Sequence, residues 1–466
     1  METQNTAIHH PTGEGRSRPS PADVLEAGLR NHHLANTAYP IAHRKTIWHH
    51  RQPRARHRAL LRGALRPGQP MGLYVHVPFC EQRCRFCEYC VVERHSPEAE
   101  ASYHRALLGE LELYLDLLGR RGAGPTLVGL DIGGGTPSLV RPELIADVME
   151  RVRSGFDLQP GFGVSIETTP RIAALHPERL EAFRRMGIER ISMGLQMVSP
   201  RLLRDYGRDA GRLGHNRAAV DNIRRAGFRR FNIDLMYGLA RQSLEDLRRS
   251  VAYTISLGPE YVTLYRMRYK GTRVRGEASR VELDQVMTMY EAARELLLEA
   301  GYEANPGKNG FSRVAGDPGT SEYLTSRVVR GTPYLGLGLG AQTFTTDVLA
   351  YNEGAATKRL ERYLEAVAGG RLPIQDLYHL PPAEGMAKMI SVAFYFGEIH
   401  LEAFRRRFGV SLERCFPREV AFVLERGLMA HHGPTLRMTR RGARAFNGVV
   451  ALFYSDRVKR HLLELS

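Results

Sequence analysis

The sequence predicts an α/β fold: a partial (β/α)6 barrel followed by a C-terminal, mostly helical, winged-helix-like accessory domain. Three observations predict it. Six short apolar, β-branched runs between residues 73 and 265 alternate with amphipathic stretches of helical period. Strands joined by helical crossovers pair in parallel, because parallel neighbours need such connections. Near residue 370 Pro373, Pro381 and Pro382 mark a linker, and the remainder reads as helices around a short wing.

Composition narrows the class. At 466 residues the chain exceeds one typical core, so a large domain with appendages is expected. Hydrophobic residues at 43% and charged residues at 25% describe a soluble globular protein. No run approaches the roughly 18 apolar residues that span a bilayer. The first thirty residues lack the apolar core of a signal peptide, so the expected location is the cytoplasm and no membrane partner is expected. The net charge of +16 comes with sixty Arg against six Lys, a bias that a GC-rich genome also produces. Residues 1–70 hold eleven Lys/Arg against four Asp/Glu, together with eight of the 18 His. That surplus suits a phosphate or carboxylate partner, or is a solvated basic tail.

Taken in order, residues 1–70 read as a basic, partly disordered N-terminal extension. Residues 1–20 are rich in Pro, Gly, Ser, Thr and His; a helix is expected over Pro21 to Arg30; an acid-free basic stretch runs from Arg44 to Arg66. Residues 71–270 carry the barrel. Its strands are expected at Leu73–Val77, Leu127–Ile132, Gly163–Glu167, Arg190–Leu195, Arg230–Leu235 and Tyr261–Tyr265. The intervening helices are expected at Ala99–Leu118, Pro142–Arg153, Pro177–Met186 and Leu244–Leu257, and Pro142 suits a first helical turn. Active sites of such sheets and barrels gather at the C-terminal strand ends. There the cysteines follow the first strand, Gly133–Pro137 follows the second and Glu167 ends the third. Residues 271–370 read as a barrel-closing extension, with 281–335 across its mouth. Residues 371–466 form the accessory domain, with helices at Glu384–Phe396 and Leu401–Phe408. Leu424–Leu428, Leu436–Thr439 and Ala443–Phe453 then read as helix, wing and helix.

Four of the five cysteines, Cys80, Cys84, Cys87 and Cys90, fall within eleven residues, whereas Cys415 stands alone and is expected to be buried. Such clustering fits a metal or cluster site in a reducing compartment better than disulfides. Three thiolates spaced C-x3-C-x2-C can hold three irons of a cubane cluster and leave the fourth open to a chelating ligand. Zinc is the competitor, but it favours two separated ligand pairs, and Cys80 and Cys84 would make a poor second pair. His76 alternates with Val75 and Val77, which suits a packed interior histidine as well as a site residue.

The cysteine spacing resembles that of the radical S-adenosylmethionine (SAM) superfamily. The flanking Tyr74-x-His76-x-Pro78-Phe79-Cys80 resembles its oxygen-independent coproporphyrinogen III oxidase-like branch. Gly133-Gly-Gly-Thr-Pro137, Ile166-Glu167-Thr168, Ser192-Met-Gly-Leu-Gln196, Arg208, Asn232-Ile-Asp234, Gly271-Thr272 and Tyr334 to Ala341 occur in the family's order, from about residue 72 to the end. The resemblance implies that Cys80, Cys84 and Cys87 ligate a [4Fe-4S] cluster. It places Tyr74 near SAM and Phe86 beside the adenine. Gly133, Gly134, Gly135 and Thr136 would lie at the methionyl amine, where a Cβ would clash. Glu167, Gln196, Arg208 and Asp234 match polar positions around SAM, with acids for ammonium and ribose hydroxyls and Arg for the carboxylate. A reducing partner such as flavodoxin or ferredoxin is implied, and reductive cleavage of SAM yields a 5′-deoxyadenosyl radical. The glycines also suit an ordinary strand-to-helix turn, and Gln196 or Asp234 a helix cap. Gly336-x-Gly-x-Gly340 lacks the dinucleotide fingerprint and a βαβ setting.

Three departures direct the functional expectation. Coproporphyrinogen-oxidising members carry Cys-x-Cys after the third ligand; here residue 89 is Tyr and the extra thiol is Cys90. Residue 240 is Ala where Gly-Leu-Pro is common, and the basic N-terminal arm has no evident counterpart. The leading expectation is therefore methyl or methylene transfer to an aromatic secondary metabolite, with a second SAM molecule as carbon donor and Cys90 and Tyr74 as catalytic residues. The alternatives are anaerobic decarboxylation of the tetrapyrrole coproporphyrinogen III, whose propionates suit abundant Arg, and haem carriage supported by His-rich residues 32–57. The basic segment Arg437 to Arg444 on a winged-helix pattern raises nucleic acid, but such a domain serves equally as a lid, and no nucleic-acid partner is expected.

Overall fold

The computed structural model describes residues 18–208 and 214–465. Residues 1–17, most of the stretch expected to be disordered, lie outside these. The barrel strands are β1 (Pro70–Val77), β2 (Thr126–Gly134), β3 (Asp157–Thr168), β4 (Arg190–Gln196), β5 (Arg230–Tyr237) and β6 (Tyr261–Arg266). They pair in parallel, each with its neighbour in sequence, which is the order of a partial barrel and not of a doubly wound sheet that reverses. Helices Pro97–Leu118, Pro142–Gly155, Pro177–Arg185 and Leu244–Leu257 make crossovers between successive strands. Their starts are chemically marked: Ser96 accepts the Ala99 amide, and Ser243 and Asp246 form a capping box. Strand side chains such as Val75, Ile132, Ile166, Ile191, Ile233 and Val262 are fully buried, so apolar burial on both faces holds the sheet.

Five more strands extend this sheet: β7 (Gly310–Ser312), β8 (Tyr334–Leu337), β9 (Gln342–Phe344), β10 (Val348–Asn352) and β11 (Ile374–His379). The order is β11-β10-β9-β8-β1-β2-β3-β4-β5-β6-β7. Strand β11 occupies the stretch where three prolines suggested a linker. Pro373 and Pro381 only flank it, β11 is an edge strand, and Ile374, Leu377 and Tyr378 are buried there.

The extension expected to close the mouth divides between the two ends of the barrel. Helix Leu283–Glu299 brings Met287 and Tyr290 to the C-terminal strand ends. Helix Glu322–Val329 packs instead against β1, β2 and β3 from the other end. Glycine is needed there: a Cβ on Gly72 would stand 2.8 Å from the Tyr323 ring, and one on Gly129 2.5 Å from the Tyr323 nitrogen.

The basic stretch after residue 18 is packed, which corrects its reading as a solvated tail. Helix Pro21–Arg30 lies against helix Phe446–Leu452, where a Cβ on Gly28 would come within 2.8 Å of the Asn447 carbonyl. Ile47, Leu61 and Leu65 are buried, while helix Arg54–Ala64 turns its arginines outward. Composition concealed this because the arginines occupy one amphipathic face. In the C-terminal region β12 (Glu398–His400), β13 (Met429–His432) and β14 (Thr435–Met438) form a sheet of order β12-β14-β13, with the β13–β14 hairpin as wing. Helices Leu401–Phe408, Pro417–Glu425, Phe446–Leu452 and Asp456–Leu463 surround it. Cys415 is half-buried rather than enclosed. Among the described residues no helix is long and apolar enough to cross a membrane.

Candidate active site

A cavity of about 550 Å³ opens at the C-terminal ends of the barrel strands. The loop after β1 delivers Cys80, Cys84 and Cys87 to it, β2 delivers Gly134, β3 Glu167, β4 Gln196 and β5 Asp234; Arg208, from the loop after β4, also lines it. The cysteine loop is braced by its own backbone and by neighbours. Phe79–Cys80 pairs with Val92–Glu93, the Cys87 amide donates to the Cys84 carbonyl at 3.1 Å, and the Arg83 amide donates to Glu93 Oε1 at 2.6 Å. Cys80 Sγ lies 3.4 Å from Thr136 Oγ1, and Arg208 Nη1 donates to Cys84 Sγ at 3.3 Å.

Burial pushes the Cys80 thiol up to about 12 and raises that of Cys87. As thiolates they need a positive partner, which bound metal supplies. All three thiols, from one loop, face one cavity. That donor set fits a multi-iron cluster better than one zinc ion.

Two carboxylates lie deeper. Glu167 Oε2 accepts the Gly134 amide at 3.0 Å; burial and then the nearby charge of Asp234 push its carboxyl up to about 8. Asp234 is held by Ser192 Oγ at 2.9 Å and Asn232 Nδ2 at 2.7 Å, and burial raises it also. A pair of acids held against repulsion beside an open cavity suits a cationic or hydroxyl-bearing ligand. The glycine run is required by this crowding. A Cβ on Gly133 would stand 2.8 Å from the Glu167 carboxyl, one on Gly134 2.6 Å from the His76 ring, and one on Gly135 2.6 Å from the Phe79 carbonyl. Gln196, at a register shift between β4 and β5, has a φ of 67°, a left-handed conformation costly for a non-glycine residue. Such strain at a strand end fits a site residue better than a helix cap.

The structure thus brings Cys80, Cys84, Cys87, Phe86, Gly134, Gly135, Thr136, Glu167, Gln196, Arg208 and Asp234 to one cavity. Tyr74, Gly133 and Cys90 are not among its lining residues. The Tyr74 hydroxyl lies 3.3 Å from His76 Nδ1. Cys90, expected at the reacting centre, packs in the apolar core and donates from Sγ to the Gly354 carbonyl at 3.1 Å. His76 is a packed interior histidine: its Nε2 contacts the Cys90 carbonyl at 2.8 Å, and burial lowers it to about 4.

Sequence reasoning missed other lining groups. His32 and His33 from the N-terminal segment, and Tyr395, Phe446 and Asn447 from the C-terminal region, reach over the cavity. They are joined there, since Asn447 Nδ2 donates to the His32 carbonyl at 3.0 Å and Arg266 bonds the side chains of both Asn447 and His32. Tyr89, Tyr265 and Arg268 also line the wall. Of these, the Tyr89 position was noticed only as a missing cysteine.

Comparison with known proteins agrees with this geometry. Residues 74–253 match the model of the radical SAM superfamily, and residues 396–444 match that of the HemN C-terminal domain. The chain is 31% identical over 395 residues to the heme chaperone HemW of Mycobacterium tuberculosis, covering 82% of this chain and 95% of that one. It is 28% identical over 405 residues to the oxygen-independent coproporphyrinogen III oxidase of Cereibacter sphaeroides, covering 82% and 88%. In fold it is similar to the coproporphyrinogen III oxidase HemN of Escherichia coli, with a TM-score of 0.71 at 22% identity, over 90% of this chain and 96% of that chain. That coverage exceeds what residues 71–466 amount to, so the likeness reaches into the N-terminal segment that seemed to have no counterpart. The chain therefore belongs to the radical SAM superfamily, in the group that includes HemN and HemW, and its cofactors are a [4Fe-4S] cluster and SAM.

Proposed function

We propose that the chain is a radical SAM enzyme acting on a tetrapyrrole, by oxidative decarboxylation of the propionate side chains of coproporphyrinogen III. The observation that carries this reading is the roof of the cavity. The N-terminal segment and the C-terminal region meet over the strand ends through His32, Arg266 and Asn447 and narrow the approach to a site whose radical chemistry water would quench. When bound, the reduced cluster and SAM supply a 5′-deoxyadenosyl radical. Cys80, Cys84 and Cys87 hold the cluster, and the arginine at 208 steadies the loop through Cys84. Glu167 and Asp234 receive cationic and hydroxyl groups of SAM; Gly134, Gly135 and Thr136 allow its close approach, and Phe86 flanks its adenine. Gln196 is held in a strained backbone that fixes its amide at the cavity wall. Relatives of coproporphyrinogen oxidase and haem chaperone type support tetrapyrrole chemistry over methyl transfer, which the missing Cys-x-Cys had suggested.

Haem carriage is the second reading. It is favoured by the 31% identity to a heme chaperone over nearly that protein's full length. Mass spectrometry after anaerobic reconstitution, with reductant, SAM and coproporphyrinogen III, tests the choice. Loss of carbon dioxide from the porphyrinogen with 5′-deoxyadenosine formation is expected. Haem binding without SAM cleavage would assign the chaperone role, and S-adenosylhomocysteine beside an unchanged porphyrinogen would restore methyl transfer.

A further inference from the structure

We propose that Arg268 is the receptor for a substrate carboxylate and that Glu88 occupies this receptor until the substrate displaces it. The inference rests on the tetrapyrrole reading above. Arg268 lies just beyond β6 on the cavity wall, and its Nη2 donates to Glu88 Oε1. Each side chain of the pair is 27% exposed, so the ion pair is open to the cavity and not sealed in a core. A guanidinium donates to one carboxylate as readily as to another, and the Glu88 carboxylate is therefore a chemical stand-in for a propionate.

The surroundings fit a macrocycle of pyrrole rings that carries such groups. Tyr89 is 51% and Tyr265 39% exposed, although both line the cavity, and Tyr395 reaches the same wall from the C-terminal region. Uncovered aromatic faces beside a guanidinium offer stacking and ion pairing together. Arg266, nearby, is already engaged by Asn447 and His32 and serves closure instead. Exchange of one carboxylate for another leaves no unpaired buried charge on Arg268. Lys358 Nζ holds the Glu88 carbonyl, so the side chain can leave while the backbone beside Cys87 stays in place.

Coproporphyrin III, the stable oxidised porphyrin, is the probe, and its binding to anaerobically reconstituted holoprotein is read by fluorescence quenching. The Glu88→Gln variant, which replaces the competing charge with a weaker neutral acceptor, is expected to bind it about tenfold more tightly than wild type, and Arg268→Gln about tenfold more weakly. With the tetramethyl ester of coproporphyrin III these differences are expected to vanish. The gain in E88Q cannot come from misfolding and is the deciding result. An E88Q affinity equal to or weaker than wild type overturns the inference while leaving the tetrapyrrole reading intact. Failure of the wild-type holoprotein to bind the porphyrin at all overturns both.

Discussion

Two buried carboxylates in neighbouring layers of the barrel interior, Asp131 facing the plugged end and Glu167 the open one, meet different fates. At the plugged end Asp131 accepts a hydrogen bond from Ser321 Oγ at 2.7 Å and lies in the field of Arg190 and Arg327, so burial pushes its carboxyl up only to about 6. At the open end Glu167 has a single backbone donor; burial, then the charge of Asp234 and more weakly that of Asp131, raise it to about 8. The chain neutralises the first with its own arginines and leaves the second to whatever enters the cavity. The difference separates a group that holds the fold from one that awaits a cationic ligand.

The largest effect is expected at the cysteine loop. Cys84→Ala should abolish the iron–sulfur absorbance and reduce SAM cleavage to background, as iron content and 5′-deoxyadenosine assays would show. A C84A protein with a full cluster would break the assignment of the open end as the cofactor end.

Glu167→Gln should weaken SAM binding by at least about tenfold, the scale of one lost charge-assisted contact. Its effect on stability should have the opposite sign. With the folded-state carboxyl raised to about 8, the wild-type apoprotein loses stability as pH rises from the ordinary carboxylate range through 8, because the unfolded chain ionises first. The E167Q apoprotein escapes that loss and should have the higher Tm at pH 8. For the wild type, SAM affinity should fall as pH drops below about 8, since the cationic ligand prefers the ionised acid.

Asp131→Asn should separate stability from binding. With the folded-state carboxyl raised to about 6, the wild-type apoprotein loses stability as pH rises through 6, so the D131N apoprotein should have a Tm at pH 7 at least equal to wild type, while the SAM dissociation constant stays within about twofold. Thermal melting and SAM titration of the same preparation would separate the two ends.

Cys90→Ala should do least. It removes a core thiol bonded to the Gly354 carbonyl and should cost about 1 kcal/mol, with cluster absorbance and SAM cleavage retained. Loss of SAM cleavage with an intact cluster would return Cys90 to the reacting centre.

The legibility of these regions in the sequence follows the range of the interactions that build them. Strands β1 to β6 were readable because apolar runs and crossovers are local patterns, and the cysteine loop because its three thiols fall within eight residues of chain. Glu167 and Asp234 were readable from strand-end placement together with family resemblance. Cys90 was not, because in this irregular loop Cys87, Glu88, Tyr89 and Val91 all line the cavity while Cys90 alone among them turns into the core, and no periodicity reports that choice. Strand β11 was obscured by the prolines at its borders. The closure by His32, Asn447 and Arg266 joins residues more than four hundred positions apart, and no local pattern reports such a contact. Tyr265 and Arg268 had no motif to mark them, since their role depends on which wall they face.

Calorimetry of SAM binding to the reconstituted holoprotein at pH 7, in buffers of differing ionisation enthalpy, tests most directly whether the open end is completed by its ligand. Release of about one proton on binding by the wild type, and of none by E167Q, is the predicted result, because the protonated Glu167 must ionise to receive a cation. The same binding enthalpy for the wild type in every buffer would contradict it.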